Sequence, residues 1–170
     1  MGSIFLPKIT KTLWTQLAAV QDQDGLFDLV TQPLHEELYR RQDFQFMDDL
    51  SPAQQMLLAY DYIQSQALQG GFLQLIQNKY ISLLLPAIEG LEDTTQDREM
   101  ILILDDVLKV YVLNLEALSR ETTVDEFAAL YQEFKEFEIL DEKFSGQHPV
   151  TMKKITEYIA ANPGQFAVLV

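Results

Sequence analysis

The sequence predicts an all-α fold: a single compact multi-helix domain over residues 1–170, with a long central helix and a short extended C-terminal tail. Three observations lead there. Apolar residues recur at the spacing of one helix face through most of the chain. Helix-starting signals, Ser51-Pro52 and the stretch from Thr123 to Glu126, stand directly before such runs. Apolar residues make up 48% of a chain with no cysteine, and a chain of this length buries about two thirds of its unfolded surface without staples.

Each element follows in order. Residues 8–21 read as a first helix, with Ile9, Leu13, Leu17 and Val20 on one face and Trp14 beside them. The stretch from Asp22 to Gly25 reads as a turn, and Leu26 to Val30 as a short apolar piece. Pro33 then opens a helix that runs through Arg41. Ser51 caps the next helix, which extends to about Gln69. Gly70 is expected in the left-handed conformation that ends it, and Gly71 permits the turn into a short helix from Phe72 to Asn78. Phe72, Leu75 and Ile76 would face the core, while Gln74 and Asn78, four apart, would bond backbone groups freed at the break. Ile81 to Leu91 reads as a helix that Pro86 bends or restarts.

The longest helix is expected from about Thr95 to Arg120. Its apolar residues cover most of its circumference, which places it at the centre. The capping box at Thr123–Glu126 starts a helix carrying Phe127, Leu130, Tyr131 and Phe134. A last helix, Val150 to Ala161, stops before Pro163-Gly164. The apolar tail from Gln165 to Val170 suits a short strand or a partner contact.

Much chemistry is missing. Without cysteine there is no disulfide, thiolate ligand or thiol nucleophile. There is no phosphate-binding glycine loop. His35 and His148 stand far apart and outside any Glu-x-x-His spacing. Asp22, Asp24 and Gly25 resemble part of a calcium loop, but its first and twelfth ligand positions would be Val20 and Thr31. No catalytic residue, metal ligand or cofactor is expected. Asp105 and Asp106 interrupt the apolar helix and read either as its exposed stripe or as a tuned carboxylate pair. Ile4 to Leu6 is too short for a signal core, and Leu6 stands where myristoylation needs Ser or Thr. No apolar run approaches the roughly 20 residues of a membrane span. A cytoplasmic location is expected.

Charge is the dominant feature. Twenty-six acids against twelve bases give a net −14. Such a chain is repelled by nucleic acid and by anionic membranes, and attracted to basic partners. The acid is clustered. Residues 22–49 hold eight acids and two arginines, residues 89–106 seven acids and Arg98, and residues 121–142 eight acids and Lys135. Residues 50–88 hold only Asp61 and Lys79, as befits an interior scaffold. The candidate partner-binding acids are Glu126, Glu133, Glu136, Glu138, Asp141 and Glu142, supported by Asp48, Asp49, Glu92 and Asp93. On charge alone a solvated, solubilising face is the favoured reading. A globule of this length is ~40 Å across, and B-DNA of that length presents ~24 phosphates. The net charge is of that order.

The stretch Gln69-Gly70-Gly71-Phe72-Leu73-Gln74, with Asn78, resembles the Asn-Gly-Gly-Phe-x-Gln signature of a bacterial helical family known for a DNA-mimic member. The likeness covers about residues 50–140, with "LLPAIEGLE" at 84–92 similar to the helix that follows. Gln69 replaces the preferred Asn, Leu75 and Ile76 replace an aromatic pair, and Gln66 replaces an acid. The resemblance implies an all-α homodimer, without catalytic residues, that sequesters a basic DNA-binding protein. The alternatives are an immunity-type inhibitor of a basic toxin, and a helical small-molecule binder or enzyme with a pocket near Gly71, Gln74, Asn78 and Asp105.

Overall fold

The computed structural model describes residues 3–20 and 23–170. Its element order is β1 (Lys8–Ile9), α1 (Lys11–Ala19), α2 (Gln23–Arg41), a 3-10 turn (Phe44–Asp49), α3 (Pro52–Gln77), a second 3-10 turn (Ile81–Leu83), α4 (Leu84–Asp93), α5 (Arg98–Leu113), α6 (Leu115–Ser119), α7 (Val124–Glu133), α8 (Glu136–Ala161), a third 3-10 turn (Pro163–Gln165) and β2 (Val168–Leu169). The fold is all-α, as expected. The apolar tail does form a short strand, pairing in parallel with β1.

The centre is α3, not α5. It packs against α2, α4, α6 and α8, and Met56, Leu57, Tyr60, Ile63, Phe72 and Leu75 along it are wholly buried. The uncharged composition of residues 50–88 suits that position. Gly90 on α4 lets the two helices approach closely, because a Cβ there would lie 2.2 Å from Met56 Cβ. A smaller apolar cluster, Leu34, Leu38, Phe46, Leu50 and Leu58, joins α2 and the first 3-10 turn to α3.

Several boundaries differ from the sequence expectation. Ile9 belongs to β1 rather than to the first helix. Of the face expected there, Leu13 and Val20 are exposed, and the side chain α1 buries is Trp14. Asp24 and Gly25 lie in the first turn of α2 instead of a loop, and that helix continues through Pro33. Asp22 lies outside the described residues. Likewise α8 runs through Pro149, so the last helix begins at Glu136 and not at Val150. In both cases burial on each side of the proline, Phe27, Val30, Leu34 and Leu38 or Phe137, Phe144, Met152 and Ile155, outweighs one lost backbone bond. The expected long helix to Arg120 breaks at Asn114, whose side-chain amide donates to the Val110 carbonyl at 2.9 Å. The predicted caps hold. Ser51 accepts from Gln54 N–H at 3.2 Å, and Thr123 and Glu126 form their reciprocal box.

Asp97 caps α5 and ties it to α8. It is fully buried. Its carboxylate accepts from Thr151 Oγ1 at 2.6 Å, from Gln147 Nε2 at 3.1 Å and from Met100 N–H at 3.3 Å, with Lys154 Nζ at 3.7 Å. His148 is half-buried and stacked on Tyr60 and Phe144. Its Nδ1 lies 2.7 Å from Tyr60 Oη.

Candidate protein-interaction surface

The break inside α3 is where the acidic C-terminal helices attach. Gly71 carries it, with φ +79° and ψ 179°. The left-handed residue is therefore Gly71 and not Gly70. The break frees two backbone groups, and α7 and α8 supply their partners. Tyr131 of α7 donates its hydroxyl to the Gly70 carbonyl. Phe72 N–H donates to Asp141 Oδ1 of α8 at 2.9 Å. A Cβ on Gly71 would stand 2.3 Å from Asp141 Oδ2 and 2.6 Å from Tyr131 Oη, so only glycine fits beneath this clasp.

Gln74 and Asn78 do not bond the freed backbone, contrary to expectation. They form an amide cluster beside it. Gln74 Nε2 donates to Gln66 Oε1 at 3.0 Å and Gln69 Oε1 at 3.1 Å, and Asn78 Nδ2 donates to Gln66 Oε1 at 2.7 Å. Gln74 lies across Gly70, where a Cβ would meet its Oε1 at 1.8 Å.

The clasp shifts both of its titratable groups. Partial burial pushes the Asp141 carboxyl up to about 6, against the Phe72 N–H that holds it down, and nearby Glu138 adds to the rise. Burial also raises the Tyr131 hydroxyl to about 12, so it stays a proton donor.

The ten candidate acids divide accordingly. Glu133, Glu136, Glu138 and Glu142 are exposed on α7 and α8, as are Asp48 in the first 3-10 turn and Glu92 and Asp93 at the end of α4. Glu126 is exposed but its carboxylate accepts from Thr123 N–H at 3.3 Å. Asp49 is half-buried and pairs with Arg41 Nη1 at 2.5 Å. Asp141 is not a free surface acid at all: it is the clasp's acceptor. Among the described residues, none of the other eight forms an ion pair within 4 Å; the acids that do include Glu37, Asp49, Asp61, Asp97, Asp105, Asp106 and Glu121.

Some of these acids stand where helix electrostatics oppose them. Glu92 and Asp93 occupy the last turn of α4, and Glu133 ends α7, with no basic residue in either last turn. A carboxylate beside the negative end of a helix is disfavoured by roughly 0.3–1 kcal/mol. By contrast, Glu136 and Glu138 sit in the first turn of α8, where the dipole favours them.

The family model for DMP19-like protein matches residues 48–162, more than half of the chain. The chain belongs to the DMP19-like family. The match runs from the first 3-10 turn to the end of α8, so the family region contains α3, the clasp and all of the acids just described except Glu37 of α2. Both strands and the first two helices lie outside it. No curated protein matches the chain.

Of the residues around which a pocket was expected, Gly71, Gln74, Asn78 and Asp105, only Gln74 and Asn78 line the groove found there. A groove of about 570 Å³ beside the amide cluster is lined by Gln74, Gln77, Asn78, Lys79, Thr122 and Phe127 among others, with neither Gly71 nor Asp105. Asp105 pairs with Lys109 at 2.9 Å on the half-exposed side of α5. Among the described residues no group of three or more His, Asp or Glu is placed to hold a metal ion. No helix among them is long and apolar enough to cross a membrane.

Proposed function

We propose that this protein is a non-enzymatic acidic interaction protein that occupies the nucleic-acid-binding surface of a basic protein, as a DNA mimic. The observation that carries this reading is the set of exposed carboxylates on α7 and α8, Glu126, Glu133, Glu136, Glu138 and Glu142, left without cationic partners among the described residues. Membership of the DMP19-like family, a DNA-mimic family, supports it. So does the presence of Glu92, Asp93 and Glu133 at helix ends that disfavour them. A face selected for solubility alone gains nothing from those positions. The partner is a DNA-binding protein whose lysines and arginines meet the carboxylates in place of phosphates.

The test has two stages. The chain, immobilised at low salt, retains basic proteins from a lysate of its source cells. Each captured DNA-binding protein is then purified and bound to its own DNA, and the free chain is titrated in. Displacement of the DNA by the wild-type chain, and not by a chain with Glu133, Glu136, Glu138 and Glu142 all changed to Lys, supports mimicry. Retention of the DNA at saturating chain, or equal displacement by the reversed variant, overturns it.

A further inference from the structure

We propose that the groove between the end of α3 and the start of α7 binds an extended, uncharged segment of a partner protein through that segment's backbone. Two helix ends meet at the groove. α3 stops at Gln77, and the α6–α7 connection brings Thr122, Thr123 and Val124 alongside it. Gln77 ties the two sides together. Its Oε1 accepts from the Thr122 hydroxyl at 2.8 Å, and its Nε2 donates to the Leu118 carbonyl at 3.3 Å. The walls are thus held at a set spacing, and the space of about 570 Å³ between them falls in the size range of ligand sites.

The groups at the groove match a peptide backbone. Among the described residues, the Gln77 and Asn78 carbonyls at the end of α3 accept no hydrogen bond, and the Val124 and Asp125 N–H groups at the start of α7 donate none. Asn78 adds a primary amide. One of its hydrogens goes to Gln66 Oε1 at 2.7 Å, which leaves the other hydrogen and the carbonyl oxygen uncommitted. An extended segment carries one N–H and one C=O per residue, and acceptors on one wall with donors on the other can take both. Val124, 86% exposed, and the partly buried Phe127 supply an apolar wall for one side chain of that segment. Charge narrows the choice. The charged side chains that line the groove, Lys79 and Glu121, pair at 3.5 Å and cancel, in a chain of net −14. A cationic segment is drawn instead to the carboxylates of α7 and α8, and an anionic one is repelled by the molecule as a whole. An uncharged segment meets neither force.

This site does not depend on the acidic helices engaging a basic protein, and the two fail separately. The probe is the capped tripeptide acetyl-Ala-Leu-Ala-methylamide, titrated to about 10 mM into the isotope-labelled full chain and followed by NMR. The side-chain amide signals of Asn78 and the backbone signals of Val124 and Asp125 should shift with a Kd of about 1 mM. The affinity should be the same in low and in molar salt, where a phosphate-like contact is lost. The tripeptide N-methylated at its leucine has one donor fewer and should bind at least about fivefold more weakly. Asn78→Ala and Val124→Glu should each weaken the unmodified tripeptide by a similar factor. Val124 is exposed at the first position of α7, where a glutamate suits the helix, so Val124→Glu keeps the fold even if Asn78→Ala does not. Signals that stay in place up to about 10 mM, binding that disappears in molar salt, equal binding of the N-methylated peptide, or a folded variant that binds as the wild type does overturns the proposal.

Discussion

Asp141 is read wrongly by any argument from charge, and its true role makes a measurable prediction. Its carboxyl, raised to about 6, lies above the ordinary carboxylate value of the unfolded chain. The folded state therefore takes up this proton first. The group's contribution to stability rises as pH falls from about 6 into the usual carboxylate range, and is lost above it. Asp141→Asn keeps an oxygen for Phe72 N–H and removes the buried charge. In urea unfolding, the variant should be at least as stable as wild type at pH 7.5, and wild type should gain on it by pH 5. If the two midpoints keep a constant separation across that range, the carboxyl is not desolvated as described. The adjacent glycines make a second prediction at this scale. Gly71→Ala forces an alanine to φ +79° and drives its methyl into Asp141 and Tyr131, at a cost of about 2 kcal/mol or more. Gly70→Ala meets only the Gln74 side chain, most closely its flexible amide end, and displaces its amide bonds, at about 1 kcal/mol. Equal losses from the two substitutions in the same assay would contradict the assignment of the break to Gly71.

Between elements, the buried Asp97 does for α5 and α8 what the clasp does for α3, α7 and α8. Asp97→Ala removes a helix cap and strands Thr151 Oγ1 and Gln147 Nε2 without their acceptor. The expected loss is about 3 kcal/mol; a melting temperature within a degree of wild type would show that the carboxylate is dispensable. Element by element, the sequence is legible where the signal is local. Ser51 and Thr123 announce their helices, because a cap and its partner lie within one turn. Both prolines mislead, since whether Pro33 and Pro149 end a helix depends on burial contributed by other helices. The Asn114 break is hidden inside an unbroken apolar run. The tail is recognisable as a strand, but its partner β1 is not, for the two pair across almost the whole chain. The site divides in the same way. Exposure of Glu133, Glu136, Glu138 and Glu142 follows from helical spacing. The diversion of Asp141 does not, because the N–H it meets lies 69 residues earlier.

For the molecule as a whole, net charge governs behaviour with partners. If the exposed carboxylates act as phosphates do, affinity for a captured basic protein should fall at least about tenfold between low and physiological salt. Calorimetry of the purified pair at two ionic strengths decides this, and a salt-independent affinity would exclude a phosphate-like role.

The parallel ribbon of β1 and β2 has a consequence for the order of events during synthesis. Lys8 and Ile9 leave the ribosome on the order of 10 s before Val168 and Leu169 exist, at ordinary elongation rates. Throughout that interval the nascent chain can close its local helical contacts but not this one, which also carries the largest loop entropy in the fold. The ribbon is thus the final fastening of the chain, joining its two ends after the helices between them have been made.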